Sequence, residues 1–131
     1  MLFHTFRSQD ERRAFGGSYF IELQYCKLAP NADLKQIVSV GSIVNWANDS
    51  LYIHGDDDGA FLSQYGEILT GGVYNNGETG PADLCGINYY SPQQARLIAE
   101  RIMEQKPLEL QVLLDWLERG TGYNGFYLLG L

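Results

Sequence analysis

The chain has 131 residues, a formal net charge of −7, 45% hydrophobic residues and 13% aromatic residues. This length favours one globular domain spanning residues 1–131, and the apolar content excludes an intrinsically disordered acidic chain. The negative charge disfavours nucleic acid and anionic membranes as partners and favours a basic protein.

The negative charge is concentrated in the middle of the chain. Residues 36–95 contain no lysine and no arginine but seven acidic residues, whereas the two flanking segments together hold nine residues of each sign. The acids of this interval are Asp49, Asp56, Asp57, Asp58, Glu67, Glu78 and Asp83. The entire net charge therefore arises between Lys35 and Arg96.

The N-terminal residues lack the pattern of a secretory signal, and no apolar run approaches the roughly 18 residues that a membrane-spanning helix needs. The sequence therefore predicts a cytoplasmic protein. Cys26 and Cys85 are far apart and form no C-x-x-C pair, which favours two reduced thiols over a disulfide or a zinc site. We expect no cofactor.

The first part of the chain predicts a short helix, two strands and one ambiguous segment. Residues 7–13 are charged and indicate a solvated turn or a short helix. Residues 19–28 alternate apolar and polar side chains, as strands do, and residues 51–54 form a second short strand. Residues 33–48 fit either one helix or a strand followed by a short helix, because helical apolar spacing competes with a β-branched run.

The middle of the chain predicts a capped helix and a glycine-rich loop. Residues 60–69 place apolar side chains on one helical stripe, and one aspartate of residues 56–58 is expected to cap that helix. Residues 70–86 contain five glycines and the Asn75, Asn76, Gly77 turn signal, which predicts a long functional loop or a loose hairpin. A short strand at 87–90 follows.

The last part predicts a helical hairpin and a buried strand. Ser91, Pro92 and Gln94 form a capping box that begins one helix, residues 106–107 end it, and residues 108–119 form a second. The predicted buried positions are Ala95, Ile98, Ala99, Ile102, Leu110, Leu113, Leu114 and Leu117. The uncharged tail at 124–131 is expected near the centre of the sheet, since an exposed apolar strand would aggregate.

Together these elements predict an α+β fold. We expect a small mixed or antiparallel sheet with a C-terminal helical hairpin and a buried C-terminal strand.

Catalytic and metal-binding motifs are weak. Three consecutive aspartates do not have the alternate spacing of a calcium loop, and the glycines match neither the dinucleotide nor the phosphate-loop pattern. His54 lies close to residues 56–58, where a carboxylate could orient it. We therefore predict no catalytic residue and no metal site. The alternative is a small cytoplasmic enzyme or ligand-binding domain with a cleft around His54 and Asp56, Asp57 and Asp58.

Recognition is the function that these residues favour. Tyrosine next to carboxylate is typical of a polar interface that attracts its partner electrostatically. Tyr74 lies in the glycine-rich segment, and Tyr89 and Tyr90 must point to opposite faces of their strand, so at least one of that pair is expected at the surface. The predicted partner-binding residues are Asp56, Asp57, Asp58, Tyr74, Glu78, Asp83, Tyr89 and Tyr90.

In its size, its acidity, its cytoplasmic character and its lack of catalytic motifs, the chain resembles bacterial immunity proteins. These are the cognate inhibitors of toxins from contact-dependent and related polymorphic toxin systems. The resemblance implies a cationic toxin domain, such as a nuclease, as the partner and no turnover by the chain itself. We expect the free chain to be a monomer. A scaffold subunit that associates with its own copies is a further alternative.

Overall fold

An antiparallel sheet of six strands organises residues 1–17 and 19–130, which are the residues that the computed structural model describes. The strands are β1 (Phe20–Tyr25), β2 (Leu51–His54), β3 (Gly72–Tyr74), β4 (Thr79–Gly80), β5 (Ile87–Tyr90) and β6 (Phe126–Leu129). Their order across the sheet is β2-β1-β6-β5-β3-β4, and each neighbouring pair is antiparallel. The predicted α+β class is confirmed.

Strand β6 lies between β1 and β5, and all four of its side chains are buried. Phe126 and Leu128 belong to the core on one face of the sheet, and Tyr127 and Leu129 belong to the core on the other face. The predicted C-terminal strand at the centre of the sheet is therefore confirmed. Leu131, the last residue of the predicted segment, lies outside the described residues.

The helices of the described residues are α1 (Gln9–Phe15), α2 (Leu34–Ile37), α3 (Asp58–Tyr65), α4 (Pro92–Gln105) and α5 (Leu110–Arg119). None of these helices is long and apolar enough to cross a bilayer. Helix α4 begins with the predicted capping box, since Ser91 Oγ accepts a hydrogen bond from Gln94 N and Gln94 Oε1 accepts one from Ser91 N. Both bonds satisfy amides that the first helical turn leaves free.

Helices α4 and α5 pack as a hairpin on one face of the sheet, as predicted. Ile98, Ile102 and Leu113 are buried there, together with Trp116, while the other predicted positions are only partly buried. The Trp116 ring stacks on Tyr25 at 4.0 Å between centroids, and its Nε1 donates to the carbonyl oxygen of Asp49 at 2.8 Å. Trp116 therefore ties the hairpin to the sheet and to the segment before β2.

The other face of the sheet is covered by residues 26–50, and both structures predicted for residues 33–48 within this segment are wrong. The described structure there is the short helix α2, a 3-10 turn at Val40–Ser42 and irregular chain. Ile37 and Val38 pack in the core with Tyr89 and Tyr127 instead of forming a periodic stripe. Side chains from the sheet form hydrogen bonds with the backbone of this segment. For example, the Gln24 side chain accepts a hydrogen bond from the amide of Val44 and donates one to its carbonyl oxygen.

Two glycines with positive φ give a matched test of the fold. Gly125, next to β6, has φ 78°, and a Cβ there would lie 2.0 Å from the carbonyl oxygen of Tyr90. Gly77, in the β3–β4 turn, has φ 87° and nothing within 4 Å of the same position. We expect Gly77→Ala to lower the free energy of unfolding by about 1 kcal/mol through backbone conformation alone.

Gly125→Ala should cost this amount and about 1–3 kcal/mol more, because the backbone of β5 must move to accept the methyl group. Urea unfolding of both variants measures the difference. Equal losses in the two variants would contradict this packing of β6 against the end of β5.

Candidate interaction surface

Several strands begin or end at the same end of the sheet. The register pairs the first residue of β1 with the last residue of β2, and it pairs the last residue of β6 with the first residue of β5. The last residue of β3 pairs with the second residue of β5. The segments that follow β2 and β3, and the segment that leads into β5, therefore lie at one end of the sheet.

This end gathers the carboxylates that the sequence predicted for partner binding. Residues 56–58 follow β2, Glu78 lies between β3 and β4, and Asp83 precedes β5. We refer to Asp56, Asp57, Asp58, Glu78 and Asp83 as the acidic end of the sheet. Strands β2 and β3 are four positions apart in the sheet, so this surface extends over roughly 19 Å at the usual strand spacing.

The aspartates at 56–58 are only partly used by the fold. The side chain of Asp56 is 88% exposed. Asp57 occupies the predicted N-cap position of α3, but its side chain makes no capping hydrogen bond. The amide of Asp56 lies in a 3-10 turn at Gly55–Asp57 that precedes α3, and it donates to His54 Nδ1 at 3.1 Å. Asp56 and Asp57 are thus left to the solvent or to a partner.

Tyr19 is the aromatic residue at this end that the sequence analysis missed. Its hydroxyl donates to Asp58 Oδ2 at 2.7 Å and also contacts the carbonyl oxygen of Gly55, and the residue is 41% exposed. The hydrogen bond to Asp58 is the main cause that raises the pKa of Tyr19, and Cys85 and Asp56 act in the same direction. The sequence pattern placed Tyr19 inside a strand, although it precedes β1 and lies beside the aspartates.

Tyr74, Glu78 and Asp83 occupy the other half of the acidic end. Asp83 is exposed, and its Oδ1 accepts a hydrogen bond from the amide of Cys85 at 2.9 Å, which gives it a structural role in the turn before β5. Glu78 is exposed and contacts Asn76 Nδ2 at 3.4 Å. Tyr74 is half-buried, and its hydroxyl donates to the carbonyl oxygen of Pro81. All three remain accessible in part.

The interpretation that Tyr89 or Tyr90 lies at the surface is wrong. Both residues are buried, at 4% and 0% exposure. They do point to opposite faces of β5, but helices cover one face and residues 26–50 cover the other. The Tyr90 hydroxyl donates to the carbonyl oxygen of Leu69, and the Tyr89 hydroxyl donates to that of Asn124. In this fold neither ring is available to a partner.

The lysine and arginine ion pairs among the described residues involve acids that do not belong to the acidic end. Lys27 binds Asp49 at 2.6 Å, Arg7 lies 3.4 Å from Glu11, and Arg13 lies 3.8 Å from Asp10. Asp49 precedes β2 and therefore lies at the opposite end of the sheet. Its charge is paired with that of Lys27, so it does not contribute to the acidic end. Within residues 1–17 and 19–130, no lysine or arginine forms an ion pair with a carboxylate of the acidic end.

The side chain of His54 is 15% exposed and packs between α1 and β1. Its imidazole packs against Phe15 and Phe20, its Nδ1 is used by the Asp56 amide, and its Nε2 lies over Gly17. The three cavities described for this structure include neither His54 nor residues 56–58. Within the described residues, no group of three or more histidine, cysteine and acidic side chains could hold a metal ion.

Glu22 is a buried carboxylate that the strand pattern did not single out. Its residue is 7% exposed, and its Oε2 accepts hydrogen bonds from Gln24 Nε2 at 2.9 Å, Ser50 Oγ at 2.7 Å and Tyr52 OH at 3.2 Å. Alternation in β1 suggested an exposed polar face, but residues 26–50 cover that face. The uncharged residues on both faces of the last strand were the only sequence signal that the sheet is covered twice.

A comparison with protein-family models, with curated proteins and with solved structures finds no match to this chain.

The contact between Tyr19 and Asp58 can be tested by titration. We expect Asp58→Asn to lower the pKa of Tyr19 toward its ordinary value of 10.0, because the hydrogen bond and the carboxylate charge both favour the protonated phenol. The measurement is the tyrosine Cζ chemical shift as a function of pH. The exposed Asp33→Asn serves as the control and should leave the pKa of Tyr19 unchanged. The same pKa in Asp58→Asn and in the native protein would contradict the contact.

Burial raises the pKa of Glu22 above its ordinary value of 4.5, and the hydrogen bonds from Ser50, Gln24 and Tyr52 oppose that change. The folded protein therefore keeps this proton to a higher pH than the unfolded chain does. The contribution of Glu22 to the free energy of unfolding must then fall as the pH rises from about 4.5 through the folded pKa, and stay constant above it.

Glu22→Gln does not titrate, so its free energy of unfolding, relative to the native protein, should increase over this pH range and then level off. Urea unfolding between about pH 4 and pH 8 measures the difference. Glu100→Gln, on the exposed side of α4, is the control and should show no such increase. A relative stability of Glu22→Gln that decreases with rising pH would contradict the raised pKa.

Proposed function

We propose that this chain is an immunity protein, which binds and neutralises a cognate basic toxin domain through the acidic end of its sheet. The observation on which the proposal depends is the grouping of Asp56, Asp57, Asp58, Glu78 and Asp83 at one end of the sheet, where none of them forms an ion pair with a lysine or arginine of the described residues. A basic nuclease domain has the complementary charge.

Uncompensated carboxylates at one surface act mainly on the rate of association. They attract a cationic partner before contact and orient its approach, which raises association rates by about 10-fold to 1,000-fold at low salt. An extent of roughly 19 Å across the strands is compatible with the 800 Å² or so that each partner buries in a standard interface. Carboxylates in this arrangement can also occupy the positions where a nuclease holds the phosphates of its substrate.

The exposed tyrosines give this surface the apolar contacts that charge alone does not provide. Tyr19 takes the role that Tyr89 and Tyr90 were expected to have, and the half-buried Tyr74 lies near Glu78 in the β3–β4 hairpin. Both hydroxyls are already hydrogen bonded within the protein, Tyr19 to Asp58 and Tyr74 to Pro81. Side chains that are ordered before binding lose less entropy when a partner arrives.

The enzyme or ligand-binding alternative around His54 receives no support from the cavities, since His54 lines none of the three that are described. Self-association through the acidic end is disfavoured by physical reasoning, because two copies of one negative surface repel each other. A binding surface for a basic protein remains the function that the charges favour most.

The proposal expects a toxin domain to be encoded next to this chain, and the direct test is neutralisation of that domain. That domain should arrest growth when expressed alone in bacteria, and coexpression of the intact chain should restore growth. The two purified proteins should also form a complex whose association slows steeply as the salt concentration rises. Failure to rescue growth together with failure to bind would overturn the proposal.

Charge variants locate the surface. We expect a variant with Asp56, Asp57 and Asp58 changed to asparagine to associate with the toxin domain about tenfold more slowly at low salt, because it removes the steering field. Its association rate should also depend less on salt. Stopped-flow fluorescence measures both effects.

The matched control changes Glu100, Glu104 and Glu118 to glutamine, which alters the net charge equally on exposed positions of α4 and α5. It should associate at a rate close to that of the native chain. Equal slowing in the two triple variants would show that total charge, and not the acidic end, governs binding.

A further inference from the structure

A cavity of about 460 Å³ lies beside the start of β1, on the sheet face that residues 26–50 cover. Helix α1 and the glycines after it form one wall, and Val40, Ile43, Val44 and Asn45 form another. The lining combines apolar side chains with charges of both signs, Glu22 from β1 and Arg12 and Arg13 from α1. None of the aspartates at 56–58 lines it, but Tyr19, whose hydroxyl bonds Asp58, does, so the cavity adjoins the acidic end.

Glu22 presents one carboxylate oxygen to this cavity. Its Oε2 is occupied by hydrogen bonds from Gln24, Ser50 and Tyr52. Its Oε1 receives no hydrogen bond from the residues that the structure describes, yet it is not among their fully enclosed unpartnered atoms. Because Glu22 lines the cavity, this second oxygen is the one that can accept a hydrogen bond from a ligand.

The fold does not require a charge at this position. The donors on Oε2 would be satisfied equally well by the amide oxygen of a glutamine, which has the same shape. Gln24, and not Glu22, bonds the backbone of the covering segment at Val44. A carboxylate that is 7% exposed loses most of its hydration, so an ionised Glu22 needs a cationic group to compensate it.

Arg12 places a positive charge on the same cavity without neutralising Glu22 directly. Its guanidinium lies 5.3 Å from the centre of the Tyr52 ring, and it forms no ion pair within residues 1–17 and 19–130. Arg13 faces Asp10 at 3.8 Å, with both side chains largely exposed. The guanidinium of Arg12 therefore retains hydrogen-bond donors for an anionic group.

We propose that this cavity binds a small zwitterion of the amino-acid class, whose ammonium group contacts Glu22 Oε1 and whose carboxylate contacts Arg12. The arginines would repel a ligand that carries only a positive charge, and Glu22 would repel a ligand that carries only a negative charge. A molecule with both charges satisfies both groups, and the cavity volume is sufficient for any free amino acid. The two charged groups of this site, Glu22 and Arg12, do not belong to the acidic end, so this proposal does not rest on the proposed function.

The test is an NMR titration of the full chain with ω-amino acids of increasing length. Glycine, β-alanine, 4-aminobutanoate and 6-aminohexanoate vary the distance between the two charges, and butylamine and butanoate each lack one of them. We expect saturable shifts of the amides of Val44, Asn45 and Gly17. One spacing should bind at least fivefold more tightly than both butylamine and butanoate.

Variants at the two charges decide whether these residues hold the ligand. Glu22→Gln and Arg12→Gln should each weaken the best zwitterion at least fivefold, while the exposed Glu100→Gln should leave its affinity unchanged. Arg12 lies on α1, which has no buried residue, so Arg12→Gln tests the site even if Glu22→Gln fails to fold.

Three results would overturn the proposal. The first is the absence of saturable shifts up to 50 mM of every amino acid. The second is butylamine or butanoate binding as tightly as the best zwitterion. The third is unchanged affinity in Arg12→Gln.

Discussion

The burial of β6 on both faces is the constraint on which the rest of this structure depends. A strand with four buried and uncharged side chains at the centre of a sheet must be covered twice. The α4–α5 hairpin and α3 supply one cover, with Trp116 stacked on Tyr25, and the irregular segment 26–50 supplies the other. Because that second cover has little regular structure, side chains of the sheet must satisfy its backbone.

This second cover explains why a polar cluster lies inside the protein. Glu22 and Gln24 alternate with apolar residues of β1, and in a sheet with one open face they would contact water. Under residues 26–50 they are 7% and 2% exposed, and they bond to Ser50, Tyr52 and Val44. The same cover buries Tyr89, while the helices on the opposite face bury Tyr90.

Antiparallel strand order explains the candidate interaction surface. The acids at 56–58 and at 83 are far apart in the sequence, but the segments that contain them adjoin strand ends that the register aligns. The sequence alone shows these carboxylates as a charge pattern, because they lie in the interval 36–95, which contains no lysine and no arginine. Tyr19 was not visible as their neighbour, because its contact with Asp58 joins residues 39 positions apart in the chain.

The sequence by itself determined the α+β class, the capping box at Ser91, the helical hairpin and the central position of the last strand. Each of these follows from local capping chemistry, a helical period or an absence of charge, all of which can be read from neighbouring residues. Only the tertiary structure decided the conformation of residues 33–48, the burial of Tyr89 and Tyr90 and the cavity at Glu22. These features depend on which segment packs against each face of the sheet. Contacts between residues far apart in the sequence decide that packing.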